Sequence, residues 1–554
     1  MKLSDYVFKF LDNYTDTVFL VSGGGIMHLV DSLGKSKLNM VCCHHEQACA
    51  IAAEGYARIK NNIGVALVTT GPGGTNAITG VAGAWLDSIP MLVVAGQVKS
   101  EDIAPKKDGI PLVRAVGFQE LNVVDLAKPI SKYIVTITDP KTIKYHLEKA
   151  IYLATSGRPG PVWIEIPLDI QAMEIDIKKL KGFKKPTLNK NNFDKKIDLI
   201  VKKLNEAKRP LLMAGNGIRL AGGEKLLQEF LKRTKINTVT PIFTADDLVT
   251  NDYKNYLGRQ GMPGNETANW AIDNCDLLLI IGERMQLTQI SYNHKNFSPN
   301  AYKIMVDIDK NELEKSTLKI DMPVCMDAKL FLEKLAKKNI KLNTWKVEVK
   351  NIDSGNYESE GKYLNVYKFF EKLNSMDLSY NVATANGMAS VSSHQAMHIK
   401  NGQRFITNAG LGHMGSGLPL AIGECFASDK APTISMEGDG SIMMNIQELQ
   451  TVLYHNLPIK IFIFNNGGYF SIRNTHLNYF NKITASDKSS GFTLPDFSKV
   501  ITAWGFRYER INNNKELNKL EKIKNNGPMV FELMIDPFQK MIPKWSAGDY
   551  SEKK

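Results

Sequence analysis

Short runs in which every position is apolar recur along this chain, separated by amphipathic stretches. Examples are Val65–Ala66–Leu67–Val68, Met91–Leu92–Val93–Val94–Ala95, Leu277–Leu278–Leu279–Ile280–Ile281 and Ile461–Phe462–Ile463–Phe464. A strand with one face in water alternates polar and apolar residues, so a run without alternation is buried on both faces. Parallel sheets sandwiched between helices meet that condition, and the expected class is α/β with open parallel-sheet layers. Three such blocks can be drawn, at residues 1–175, 191–340 and 363–540. The length of 554 residues suits that number, since domains run to roughly 100–200 residues each. No repeat of about 20–50 residues points to a solenoid or propeller.

The stretches between blocks are rich in lysine, chiefly Lys178–Lys196 and Lys337–Lys350, and a polar run, Lys341–Lys362, precedes the third block. They read as solvated linkers. They also account for much of the net charge of +12 without forming the single basic face of a nucleic-acid binder. Positive potential of this kind attracts anionic substrates and phosphorylated cofactors. Six cysteines are too few for a disulfide scaffold. Cys42, Cys43 and Cys49 crowd His44 and His45, but no second Cys or His pair follows at zinc-finger spacing. No apolar run reaches the roughly 18 residues of a membrane span. Met1–Lys2–Leu3–Ser4–Asp5–Tyr6 lacks a secretory signal. A cytoplasmic location, with neither membrane nor nucleic acid as partner, is expected.

The third block carries the strongest chemistry. Glu437–Gly438–Asp439–Gly440–Ser441 follows an apolar strand, and one helical crossover later Asn465–Asn466–Gly467–Gly468 follows another. Open α/β sheets bind ligands at such carboxyl ends. A carboxylate and an amide oxygen from adjacent loops suit a hard divalent cation such as magnesium, which takes few protein ligands plus substrate phosphates. The glycines admit close backbone approach, and a helix start beyond them favours a diphosphate.

This pair of loops resembles the metal and diphosphate motif of thiamine-diphosphate enzymes. The resemblance extends over nearly the whole chain, to the acetolactate synthase-like group of 2-keto-acid decarboxylases and carboligases. It implies three α/β domains: pyrimidine-binding, central Rossmann-like and diphosphate-binding. It implies magnesium on Asp439, the Asn466 side chain and the Gly468 carbonyl, with Gly438, Gly440 and Ser441 around the diphosphate. His45–Glu46–Gln47, followed by Gly55–Tyr56–Ala57–Arg58, matches the family pattern that supplies the catalytic glutamate, here Glu46. A carboxyl in an apolar pocket has a raised pKa and can share a proton with the aminopyrimidine ring.

Further positions follow from the same resemblance. Gly24 and Gly25, in Ser22–Gly23–Gly24–Gly25, form the loop over the reaction centre, and His28 faces either substrate or plain surroundings. Pro72 and Asn76, in Thr69–Thr70–Gly71–Pro72–Gly73–Gly74–Thr75–Asn76, lie near the pyrimidine. Asp87–Ser88–Ile89–Pro90 is a further match. Phe118 and Gln119 line the substrate pocket, with a core position open for Phe118. In Gly410–Leu411–Gly412–His413–Met414–Gly415, the Gly412 carbonyl accepts from the cofactor's amino group and Met414 wedges between its rings. Gly387 and Met388 stand where the family places a diphosphate-binding turn, although its usual residues are absent.

In the central block Gly215–Asn216–Gly217, Gly282–Glu283–Arg284 and Asp307–Ile308–Asp309 follow strands. Relatives hold FAD there, another nucleotide or nothing, so FAD stays open. Two departures stand out: Thr288 and Thr475 occupy positions where true acetolactate synthases carry an arginine and a tryptophan that grip a second keto acid. The wall is then expected from Phe470, Ile472, Arg473 and His476. The resemblance thus implies decarboxylation of a 2-keto acid, pyruvate first, and transfer of the acyl unit to an aldehyde or ketone, with a keto-sugar in view. It also implies a homodimer or homotetramer with sites between subunits. Simple decarboxylation, C–C lysis or hydrolysis, and an inactive cofactor-binding regulator are the alternatives. The presence of Glu46, Asp439 and Asn466 weighs against the last.

Overall fold

The computed structural model describes residues 1–187, 193–243, 248–343, 345–350 and 361–552. Strands in the first block are β1 (Thr17–Leu20), β2 (Asn39–Cys42), β3 (Gly64–Val68), β4 (Met91–Gln97), β7 (Tyr133–Thr136) and β8 (Pro161–Pro167), and a two-stranded hairpin of β5 (Lys106–Lys107) and β6 (Ile110–Pro111) projects between β4 and β7. The six pair in parallel in the order β2-β1-β3-β4-β8-β7. Every residue of β3, β4 and β8 is buried, as helices on both faces require.

The central block contributes β9 (Pro210–Ala214), β10 (Asn237–Pro241), β11 (Tyr256–Gln260), β12 (Leu277–Ile281), β13 (Tyr302–Asp307) and β14 (Met322–Cys325) in the order β11-β10-β9-β12-β13-β14. The third contributes β15 (Asn381–Thr384), β16 (Phe405–Thr407), β17 (Thr433–Gly438), β18 (Ile459–Asn465), β19 (Arg507–Ile511) and β20 (Met529–Met534) in the order β16-β15-β17-β18-β20-β19. These two sheets are also parallel throughout. The expected α/β class with three open parallel sheets is therefore what the chain builds. In each sheet the strand order reverses at an interior pair, β1/β3, β9/β12 or β15/β17, which opens a crevice at the carboxyl ends, and the two outer sheets reverse again at their edges, β8/β7 and β20/β19.

First and third layers meet through two small-residue helices, Glu46–Lys60 and Gly417–Ala427. A side chain at Gly55 would overlap the Leu420 carbonyl, and one at Gly423 would overlap the Ala52 carbonyl. The helices pack antiparallel, with a spacing only glycine allows.

The lysine-rich stretches are only partly the solvated linkers expected. Lys195 and Lys196 belong to the helix Asp194–Glu206. Further on, Asn237 Nδ2 donates to the Trp345 carbonyl (2.7 Å), and Lys350 N donates to Thr267 Oγ1 (2.8 Å), so this stretch is pinned to the central layer. Residues 188–192, 344 and 351–360 of these runs lie outside the described residues. Beyond residue 540 the chain returns to the central layer: Trp545 is buried, and its Nε1 donates to Asp273 Oδ2 (3.0 Å). Among the described residues no helix is long and apolar enough to cross a membrane.

Candidate active site

Three loops converge at the carboxyl ends of β15, β17 and β18. Gly438 at the end of β17 lies beside Phe464 of β18, so Asp439 and Asn466 leave adjacent strands side by side. Asp439 is 1% exposed. Its Oδ2 accepts from the backbone N–H groups of Asn466 (3.0 Å) and Gly468 (2.9 Å), and its Oδ1 accepts from Gly440 N–H (2.7 Å). Burial pushes this carboxyl up to about 6, against the pull of those donors. Asn466 Oδ1 is buried and, among the described residues, has no hydrogen-bond partner. A buried amide oxygen costs free energy unless something binds it. An orphaned oxygen beside a carboxylate is the donor set of a hard cation. Gly468, with φ at 137°, holds the backbone turn between them.

The third loop is Asn386–Gly387–Met388, at the start of the helix Met388–Ala396. Gly387 has φ at 77°, and a side chain there would meet open space, so the backbone lies bare toward the crevice. The Met388 sulfur lies 3.9 Å from Asn466 Nδ2. Asn386 Nδ2 donates to the Gly412 carbonyl, which brings the Gly412–Met414 strip to the same place. Gly412 and Gly415 both have positive φ, at 60° and 77°. Gly415 N donates to Ser441 Oγ (2.8 Å), and Ser441 Oγ donates to Glu437 Oε2 (2.6 Å). The Ser441 hydroxyl is thus committed inward.

Glu437, not singled out from the sequence, is fully buried, and its Oε1 also accepts from Leu418 N (2.8 Å). Burial pushes it up to about 7. A charged residue ending an otherwise uncharged buried strand was the available signal.

Behind this cluster Arg473 is a strut rather than the pocket wall expected. It is 1% exposed, and NH1 donates to the carbonyls of Asn466 (3.1 Å) and Pro537 (2.9 Å). Phe470 is buried in the third core, whereas Ile472 is exposed. Thr475 Oγ1 bonds back to its own helix at the Ser471 carbonyl (3.0 Å). Thr288 Oγ1 is buried and has no partner among the described residues.

On the first layer the loops after β1, β2 and β3 share one crevice. Gly23 and Gly25 are glycine because side chains there would collide with Thr69 and Thr70, while Gly24 faces open space. Glu46 opens its helix with 9% exposure, and Oε2 accepts from Asn76 Nδ2 (3.0 Å). Its surroundings are therefore less apolar than expected. Pro72 is exposed and His28 half-buried. Gln119, with φ at 63°, sets its carbonyl over Gly71. Phe118 is 89% exposed, which rules out the core position within this chain. The structure thus gathers the predicted residues into two groups, one on each outer layer. Among the described residues no His, Cys, Asp and Glu cluster suits a metal.

At the β9/β12 crevice the central layer has a cavity of about 280 Å³. Asn216, Glu283, Arg284 and Asp307 line it, together with Asp87 and Phe405 from the outer layers.

Three family models match the chain. They are described as thiamine pyrophosphate enzyme, N-terminal TPP binding domain (residues 1–126), central domain (residues 197–335) and C-terminal TPP binding domain (residues 385–533). The probable acetolactate synthase large subunit of Methanocaldococcus jannaschii is 32% identical, over 98% of this chain and 94% of its own. The acetolactate synthase isozyme 2 large subunit of Escherichia coli is 31% identical, over 95% and 94%. The acetolactate synthase large subunit of Lactococcus lactis is 30% identical, over 97% and 93%.

Proposed function

The chain belongs to the thiamine-diphosphate-dependent, acetolactate synthase-like enzymes, and from that premise we propose that it decarboxylates pyruvate and joins the retained acyl unit to an aldehyde or ketone acceptor. The observation that carries the reading is Asn466 Oδ1, a buried oxygen without a partner among the described residues, next to the three-fold-held carboxylate of Asp439. These groups and the Gly468 carbonyl fit magnesium. The bare turn at Gly387, with Gly438 and Gly440, fits the diphosphate that such a cation would carry. When bound, thiamine diphosphate supplies the carbanion chemistry of decarboxylation and carboligation.

The chain's own residues do the rest. Asp439 and Asn466 would hold the cation that accompanies the diphosphate. Gly412 and Met414 present a carbonyl and a side chain to the organic part of the cofactor. Glu46, oriented by Asn76, would present its carboxyl group to a ring nitrogen of the cofactor for proton exchange. Gly24, Gly25, His28, Phe118 and Gln119 close the site from the first layer and limit water. Thr288 and Thr475 place no cation and no aromatic face against the acceptor. A second keto acid would lack its carboxylate clamp, and a neutral hydroxylated carbonyl compound, a keto-sugar, is the acceptor we propose.

Two copies are needed. Ala52 packs on Gly423 and Gly55 on Leu420, and the Glu46 and Gly417 ends point away from that contact in opposite directions. At 1.5 Å per residue they stand about 18 Å apart, beyond the reach of a glutamate. Glu46 therefore serves the Asp439 site of a second copy, so a homodimer is the smallest active assembly and a tetramer joins two.

The central cavity is offered to FAD or another nucleotide. Asp307, at the end of β13, suits ribose hydroxyls, and Arg284 suits a phosphate. Flavin absorbance of the purified protein tests this part.

The main test is carbon dioxide release from pyruvate with thiamine diphosphate and magnesium, followed by NMR of products formed with added keto-sugars. Coupled product from the wild type, and loss of both signals in Glu46→Gln, is the expected result. Release without coupling would reduce the activity to simple decarboxylation. Unchanged turnover in Glu46→Gln would sink the mechanism.

A further inference from the structure

Two motifs, Gly55–Tyr56–Ala57–Arg58 and Asp87–Ser88–Ile89–Pro90, have no role in the thiamine-diphosphate site described so far, yet the structure joins them. Arg58 is 9% exposed and donates from Nε and NH2 to Glu54 Oε1 (3.0 and 2.7 Å). Its NH2 also donates to Asp87 Oδ2 (2.5 Å). Asp87 then accepts two backbone bonds from the third layer, Ala409 N on Oδ2 (2.9 Å) and Gly410 N on Oδ1 (2.8 Å). Glu54 is fully buried and accepts from Asn408 Nδ2 at 3.0 and 2.9 Å. Arg284 of the central layer brings NH2 to 3.9 Å from Asp87 Oδ1. Three layers therefore converge on one carboxylate.

Residues 408–410 begin the loop that runs through Gly412 and Met414 to the helix at Gly417. Its far end is fixed by Ser441 and Asn445, through Gly415 N (2.8 Å) and the Gly415 carbonyl (2.7 Å). Gly412 between those anchors and Gly415 at the far one both have positive φ, so the strip has little regular structure of its own. A carboxylate that receives two consecutive backbone N–H groups fixes both direction and height of a loop. We propose that Asp87, locked by Arg58 and Glu54, is a positioning residue that sets the height of the Gly412–Met414 strip, and so the affinity for thiamine diphosphate. The proposal rests on the cofactor reading above. Asp87 lines the central cavity but is not among the residues placed on thiamine diphosphate or substrate; toward that site it acts through the backbone at 409 and 410.

Asp87→Asn keeps the shape but turns an amide N–H₂ toward one of the two backbone donors. Gly410→Ala changes no charge. It places a methyl 2.6 Å from Asp87 Oδ1, 2.7 Å from Leu86 Cβ and 2.9 Å from Arg284 NH2, so the loop and the 86–87 segment must separate and the clamp is broken. Both variants are titrated as full-length protein with thiamine diphosphate at saturating magnesium, read by tryptophan fluorescence and by near-ultraviolet circular dichroism of the bound cofactor. Expected for each is a dissociation constant at least tenfold weaker and a lower kcat. The KM for pyruvate should stay within a factor of two, and so should far-ultraviolet dichroism of the metal-free protein. Should Asp87→Asn fail to fold, Gly410→Ala decides alone. Wild-type affinity and dichroism in a folded Gly410→Ala would overturn the clamp while leaving the cofactor reading intact. A wild type that binds no thiamine diphosphate would overturn both.

Discussion

Asp439 and Phe118 stand at opposite extremes of exposure, 1% against 89%, although both are assigned to one active site. Around Asp439 the third layer has already spent its polar groups on itself. Three backbone donors hold the carboxylate, Arg473 backs the Asn466 carbonyl, and Glu437 ties Ser441 to the helix at Gly417. Around Phe118 the first layer does the reverse. Ile110, Leu112, Val116 and Phe118 are 70%, 61%, 56% and 89% exposed on one segment. Single exposed apolar residues need no explanation, but a contiguous group marks a surface meant to be covered. The site is thus half preassembled within one chain and half an open face. The open half is the one that the proposed second copy would meet.

The largest expected effect breaks the preassembled half. Asp439→Ala removes the proposed cation ligand and leaves the N–H groups of Asn466, Gly468 and Gly440 without their acceptor. Magnesium-dependent binding of thiamine diphosphate should weaken by at least about 100-fold, since losing even an outer-shell partner costs about 10–100-fold. The metal-free fold should lose about 1–3 kcal/mol for a stranded buried donor. Titration calorimetry and urea unfolding read the two. Binding within a factor of three of wild type would remove Asp439 from the cation site.

A smaller effect tests the open half. Phe118→Ala should leave the stability of the isolated chain within about 0.5 kcal/mol, as for other surface substitutions. The same change should weaken self-association or raise a substrate KM, because covering a phenylalanine is worth about 1.5–3 kcal/mol, or roughly 10–100-fold. Sedimentation velocity across a dilution series, with steady-state kinetics alongside, separates the two. A variant unchanged in both would mean that the exposed segment is not part of the site.

The same contrast explains what could be read from the sequence. The apolar runs of β3, β4, β12 and β18 announce themselves because burial on both faces removes the polar alternation. Asp439 and Asn466 are legible because each follows such a run directly. Arg473 was misplaced because its helix position says nothing about the carbonyls of Asn466 and Pro537 that it reaches. The docking of Trp545 on Asp273 and of Trp345 beside Asn237 is equally invisible, since single long-range contacts carry no local period. Glu54, Arg58 and Asp87 lay in or beside quoted motifs, yet their joint role appears only when two layers meet. Local pattern reports burial well; it does not report which distant partner a buried polar group has found.

The central cavity supplies a third case. Glu283 is 4% exposed and lines that cavity, and no hydrogen bond to its carboxylate is seen among the described residues. It is neither held like Asp439 nor exposed like Phe118. Burial pushes it up to about 7, opposed by Arg284 and reinforced by Asp307. For an acid whose folded-state pKa lies above the unfolded value, the folded state holds the extra proton between the two. Ligand-free stability should therefore fall as pH rises from about 4.5 toward 7 and level off above it. At 1.36 kcal/mol per unit, a rise from 4.5 to about 7 is worth roughly 3 kcal/mol or slightly more. Glu283→Gln cannot ionise and should remove that slope, so the variant gains on the wild type at pH 8 and not at pH 5. Urea midpoints at the two pH values measure it. A slope that survives the substitution would assign the titration to another buried carboxyl, such as Glu54, which burial also pushes up to about 7. A nucleotide whose hydroxyls donate to Glu283 should stabilise its ionised form, so adding the ligand should flatten the wild-type slope and leave the variant unchanged.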